Sequence, residues 1–112
     1  MSVIALKTLG RYTAFTTDGA YPPTFTFVFA PDDVVVLPYA YLYCAGWNGT
    51  QIVLKHRMGT FYINGDRLNP LLKSFEYLAV RTVHVFDPER YAPVSRSGAT
   101  VVTRIDLNEP RD

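Results

Sequence analysis

The sequence predicts a mainly antiparallel α+β fold, a curled sheet or partial β-barrel of seven or eight short strands with one amphipathic helix at about residues 67–79. Three observations carry this. Thr24–Phe29 alternates with period two and puts Phe25, Phe27 and Phe29 on one face. Gly, Asn and Pro punctuate the chain at short intervals, as a meander of strands requires. Only Leu68–Ala79 has helical period, with Leu68, Leu71, Leu72, Phe75, Leu78 and Ala79 forming one stripe. One helix cannot cover both faces of such a sheet, so the sheet must curl, form a sandwich or pair with a second copy.

The elements follow in order. Val3–Leu9 and Arg11–Thr16 are β-compatible, and the Asp18–Pro23 stretch is a turn or loop because its prolines exclude a helix. Pro31-Asp32-Asp33 turns the phenylalanine strand into Val34–Leu37. Pro38 cannot donate to a ladder and marks an edge, bulge or break. Tyr39–Ala45 reads as a strand with Tyr39, Tyr41 and Tyr43 on one face and Ala40, Leu42 and Cys44 on the other. Trp47-Asn48-Gly49-Thr50 is a hairpin turn, since Asn-Gly tolerates the positive φ of a type I′ turn. Gln51–Arg57 and Thr60–Ile63 complete an antiparallel meander, turning at Met58-Gly59 and ending at Asn64-Gly65.

Asn69, with Pro70 behind it, is the expected helix N-cap, and Asp66 is the rival. Arg81–Phe86 is a strand, and 87–93 is a loop or at most one helical turn. Ser95–Gly98 is a turn, and Ala99–Leu107 is the last strand, with Val101, Thr103, Ile105 and Leu107 on one face. Residues 1–107 read as one domain and 108–112 as a polar tail.

Composition narrows function by exclusion. The 112 residues are 48% apolar or aromatic and carry a net charge of +1, which argues against a strongly basic nucleic-acid binder and against disorder. The single cysteine, Cys44, excludes a disulfide framework and reads as a small buried hydrophobe. The first residues lack the pattern of a signal peptide, and the longest nearly uncharged apolar stretch, Val34–Trp47, is too short to span a bilayer as a helix. A soluble, cytoplasmic protein without membrane contact is the expectation.

No catalytic motif is present, and neither a cofactor nor a metal is expected. His56, His84 and Asp87 are the least poor candidates for an enzyme or small-molecule site in the mouth of the curled sheet. The aromatic residues offer more: Tyr39, Tyr41, Tyr43, Trp47 and Tyr62 are the expected contact surface, because tyrosine joins a large apolar body to a polar tip. Residues 51–81 carry five cations against two anions, so Lys55, Arg57 and Arg67 are candidate anion or nucleic-acid contacts beside those rings. The favoured reading is a noncatalytic module making protein–protein contacts, with a partner or with itself as a homo-oligomer. A single-stranded nucleic-acid or nucleotide binder is the alternative.

Overall fold

A computed structural model describes residues 9–94 and 98–108. The expected Val3–Leu9 strand, apart from its last residue, the core of the 95–98 turn and the tail beyond Asn108 lie outside the described residues. Among the described residues eight strands form two four-stranded sheets with one helix, and these sheets do not close into a barrel. In chain order the strands are β1 (Phe15–Thr17), β2 (Thr24–Ala30), β3 (Asp33–Pro38), β4 (Leu42–Trp47), β5 (Ile52–His56), β6 (Gly59–Asp66), β7 (Val80–His84) and β8 (Val101–Asn108). Helix α1 (Asn69–Glu76) lies between β6 and β7. The first sheet runs β1-β7-β2-β3 and the second β4-β5-β6-β8. All neighbours are antiparallel except β2 and β7, which β3 to β6 and the helix separate in the chain.

The phenylalanine alternation does what its period requires. Phe25 and Phe27 point inward from β2 and are fully buried. The Phe27 ring meets Phe61 of β6 at 5.2 Å between centroids, so the two sheets share one core. Leu71 and Phe75 of α1 enter the same core, with Phe75 5.4 Å from Phe25. The sheets also join at one corner. There Val85 bridges Val102, and the Phe86 amide donates to the Val102 carbonyl at 2.8 Å. The Tyr12 hydroxyl spans this seam, donating to the His84 carbonyl at 2.5 Å and accepting from the Val102 amide at 3.0 Å. Burial pushes that hydroxyl up to about 12.

Several elements differ from expectation for local reasons. The helix stops at Glu76 because Leu78 adopts a left-handed φ of 54°, and the Ala79 amide closes back on the Ser74 carbonyl. Leu78 therefore leaves the apolar stripe and is exposed. Neither Asn69 nor Asp66 caps the helix; Leu68 occupies the cap position without a side-chain bond. Its buried side chain, delivered by the left-handed turn at Arg67, takes precedence over capping. In the first hairpin of the meander the turn sits one residue later than expected. Asn48 bonds Gln51, and the positive φ belongs to Gly49 at the first central position.

Strand β6 runs on through Asn64-Gly65 to Asp66. Only glycine fits at position 65, because a Cβ there would overlap the Val101 carbonyl of β8. A register shift at this place leaves Thr103 opposite no residue, since Asn64 faces Arg104 and Gly65 faces Val102. The bulge breaks the expected face of β8: Val102 and Ile105 are inside, while Thr103 and Leu107 are exposed. Asp87 organises one helical turn after β7, with its carbonyl taking the Arg90 and Tyr91 amides.

Candidate functional site: the aromatic edge strand

Pro38 ends β3, and the chain crosses to the second sheet through a single 3₁₀ turn, Tyr39–Tyr41. That turn replaces the first half of the strand expected over Tyr39–Ala45. It aims Tyr39 inward. The ring packs 4.7 Å from Phe25, and the hydroxyl donates to the Val80 carbonyl at 2.6 Å. Burial raises this hydroxyl above the ordinary tyrosine range. Tyr39 thus belongs to the fold rather than to a free surface.

Strand β4 then begins at Leu42, and its pairing with β5 contains a bulge. Leu42 faces His56 and Cys44 faces Lys55, so Tyr43 is the extra residue. The bulge puts both Tyr43 and Cys44 in solvent, which corrects the expectation of a buried Cys44. Tyr43 is 68% exposed, and Tyr41 just before the strand 43%. Arg57, in the β5–β6 turn, donates its amide to the Tyr41 carbonyl at 2.9 Å and lays its guanidinium over the Tyr41 ring at 5.1 Å. Lys55 stands exposed between Cys44 and Thr60. Tyr41, Tyr43, Lys55 and Arg57 thereby share one corner of the second sheet.

The remaining residues of the expected surface lie elsewhere. Trp47 is 48% exposed at the far end of β4 and pairs with inward-facing Ile52, on the opposite side from Lys55. Tyr62 is half-buried on β6, between Val53 and Asp106, about 10 Å in from β4 at two strand spacings. Arg67 follows the other end of β6, roughly 25 Å of strand away from Arg57. Its carbonyl accepts the Thr100 hydroxyl at 2.6 Å.

A second open edge escaped the sequence reading. Among the described residues strand β3 pairs with β2 alone, and it turns Val34 and Val36 outward, 47% and 57% exposed. The signal was present, since Val34-Val-Val-Leu is an unbroken apolar run beside a turn and carries no charge. The four edge strands differ in how they are guarded. β1 has three residues, and β8 carries the ion pair of Arg104 and Asp106 at 2.8 Å. β3 has only Asp33 at its start, and β4 has no charged residue. Short length and charge are what keep exposed edges from pairing.

The candidate catalytic residues stand apart. His56 is buried in the second sheet, its Nε2 donating to the Pro38 carbonyl at 2.8 Å and its Nδ1 accepting the Met58 amide at 3.1 Å. Both ring nitrogens are occupied by the fold. His84 lies on the first sheet with Nε2 3.2 Å from the Thr82 hydroxyl. Burial, with a smaller push from Arg90, holds it below the usual histidine range. Asp87 accepts the Glu89 amide at 2.9 Å. No group of three His, Cys, Asp or Glu among the described residues is placed to hold a metal. An apolar cavity of about 320 Å³ between Phe86, Tyr91 and Val101 contains none of these three residues. No helix among the described residues is long and apolar enough to cross a membrane.

Searches against protein-family models, curated proteins and solved structures found no match for this chain.

Proposed function

We propose that the chain is a noncatalytic binding module that makes protein–protein contacts through its two unguarded sheet edges. The observation that supports this is shared by β3 and β4: among the described residues each has a ladder partner on one side only, and each exposes large apolar or aromatic side chains with almost no charge. A strand in that condition is a template for another extended backbone. Charge separates the two edges. Around β3 the only ionised group on the strand is Asp33 at one end, so antiparallel pairing of two copies keeps the two carboxylates apart. Self-association is therefore assigned to β3, and β4 is assigned to a partner.

Light scattering after size exclusion tests the self-association. The wild-type chain is expected to rise above monomer mass with concentration, and Val36→Lys to remain monomeric. Val36 faces solvent, so the substitution leaves the core intact. A strict monomer at high concentration removes the homo-oligomer from the reading.

A further inference from the structure

We propose that the segment β4 receives is an extended acidic stretch of another protein, which adds a fifth strand to the second sheet and places its carboxylates over Lys55 and Arg57. This rests on the reading of β4 as a protein-contact edge. Among the described residues β4 has no strand on its outer side; α1 packs against β4, and Tyr43 and Cys44 stay exposed, so an extended segment can pair with the backbone there. Lys55 faces Cys44 across the ladder, one strand behind that edge, within reach of the side chains of an added strand.

Charge decides the chemistry of the occupant. Neither Lys55 nor Arg57 makes an ion pair among the described residues; the two pairs present there join Arg81 to Asp18 and Arg104 to Asp106. The ladder neighbours of Lys55, Cys44 and Thr60, are uncharged. Two cations without counterions beside an open edge attract a negative segment and repel a basic one. A second copy paired along β4 would bring no counterion to Lys55 and Arg57, because β4 carries no charged residue. Single-stranded nucleic acid needs open rings for stacking. Arg57 already covers one face of Tyr41, and Tyr39 is committed to Phe25 and Val80, which leaves Tyr43 as a single open ring at this corner, too few for successive bases.

Selection from a displayed library of random ten-residue peptides tests the proposal, run in parallel on the wild type, on Lys55→Glu/Arg57→Glu and on Lys55→Gln/Arg57→Gln. Circular dichroism confirms that each variant is folded. The expected wild-type winners carry Asp or Glu at alternate positions. The best of them, made synthetically, should bind the Glu variant on the order of tenfold more weakly and the Gln variant in between. Winners without acidic residues, or an affinity that both variants leave unchanged, overturn the acidic occupant while leaving the protein-contact reading in place. No enrichment on any of the three proteins overturns that reading itself. Displacement of the peptide by a single-stranded oligonucleotide pool, with tighter binding than any peptide, assigns the corner to nucleic acid instead.

Discussion

Replacing Tyr39 and Tyr43 by alanine, one at a time, separates a ring that holds the fold from a ring that is free to make contacts. Full truncation of a buried aromatic costs about 3–5 kcal/mol. Tyr39 is half-buried against Phe25, so its ring contributes roughly half of that, about 2 kcal/mol. Its hydroxyl bond to the Val80 carbonyl adds about 1 kcal/mol. Tyr39→Ala should therefore cost about 3 kcal/mol, and Tyr39→Phe should cost about 1 kcal/mol by removing the bond alone. Tyr43, mostly in solvent, should cost within about 0.5 kcal/mol. Equilibrium unfolding in urea reads this directly. With a slope near 1.5 kcal/mol per molar, the Tyr39→Ala midpoint falls by about 2 M and the Tyr43→Ala midpoint barely moves. Equal midpoints for the two variants would refute the inward assignment of Tyr39.

Further predictions follow from single positions. Gly65→Ala should destabilise the chain by about 2 kcal/mol or more, because the new methyl overlaps the Val101 carbonyl, whereas Gly46→Ala, with open space around it, should be tolerated; urea midpoints compare them. Leu78→Gly should stabilise by up to about 1 kcal/mol, since glycine accepts the left-handed φ and the leucine side chain is exposed; a lower melting temperature would count against the strain. The depressed His84 favours the neutral ring in the folded chain, so its contribution is present above the unfolded pKa near 6.5 and is lost as pH falls below it. Melting temperature should drop between pH 7.5 and 5.5, and less so in His84→Asn. Tyr12 gives the opposite limb: the unfolded chain ionises near pH 10 and the folded chain near 12, so stability falls across that interval and Tyr12→Phe flattens the fall.

Those parts of the fold that depend on uninterrupted periodicity were legible in the sequence. Phe25 and Phe27 follow period two into the core, and Leu71 and Phe75 follow helical spacing into the same core. The failures occur where one residue shifts the phase. Extrapolating alternation through Tyr43 put Cys44 inside, and extrapolating it through Thr103 put Thr103 and Leu107 on the face of Val101. A bulge leaves no mark in the hydrophobic pattern, because it is set by the partner strand. The 3₁₀ turn after Pro38 had a local signal in the proline, but its consequence, Tyr39 turning inward to Val80, depends on a contact 41 residues away. The same limit applies to the candidate surface: Tyr41, Tyr43, Lys55 and Arg57 converge because β4 and β5 pair, whereas Arg67, close to them in sequence charge, is carried off by the length of β6.

The central claim is that β3 and β4 are open edges awaiting another strand, whereas β8 is guarded. Amide hydrogen exchange measured in dilute and in concentrated protein addresses it most directly. Concentration should slow exchange in β3, and an acidic peptide selected as above should slow it in β4, with β8 unchanged in both cases. Exchange in β3 that is independent of concentration, together with protection by the peptide outside β4, would contradict the account.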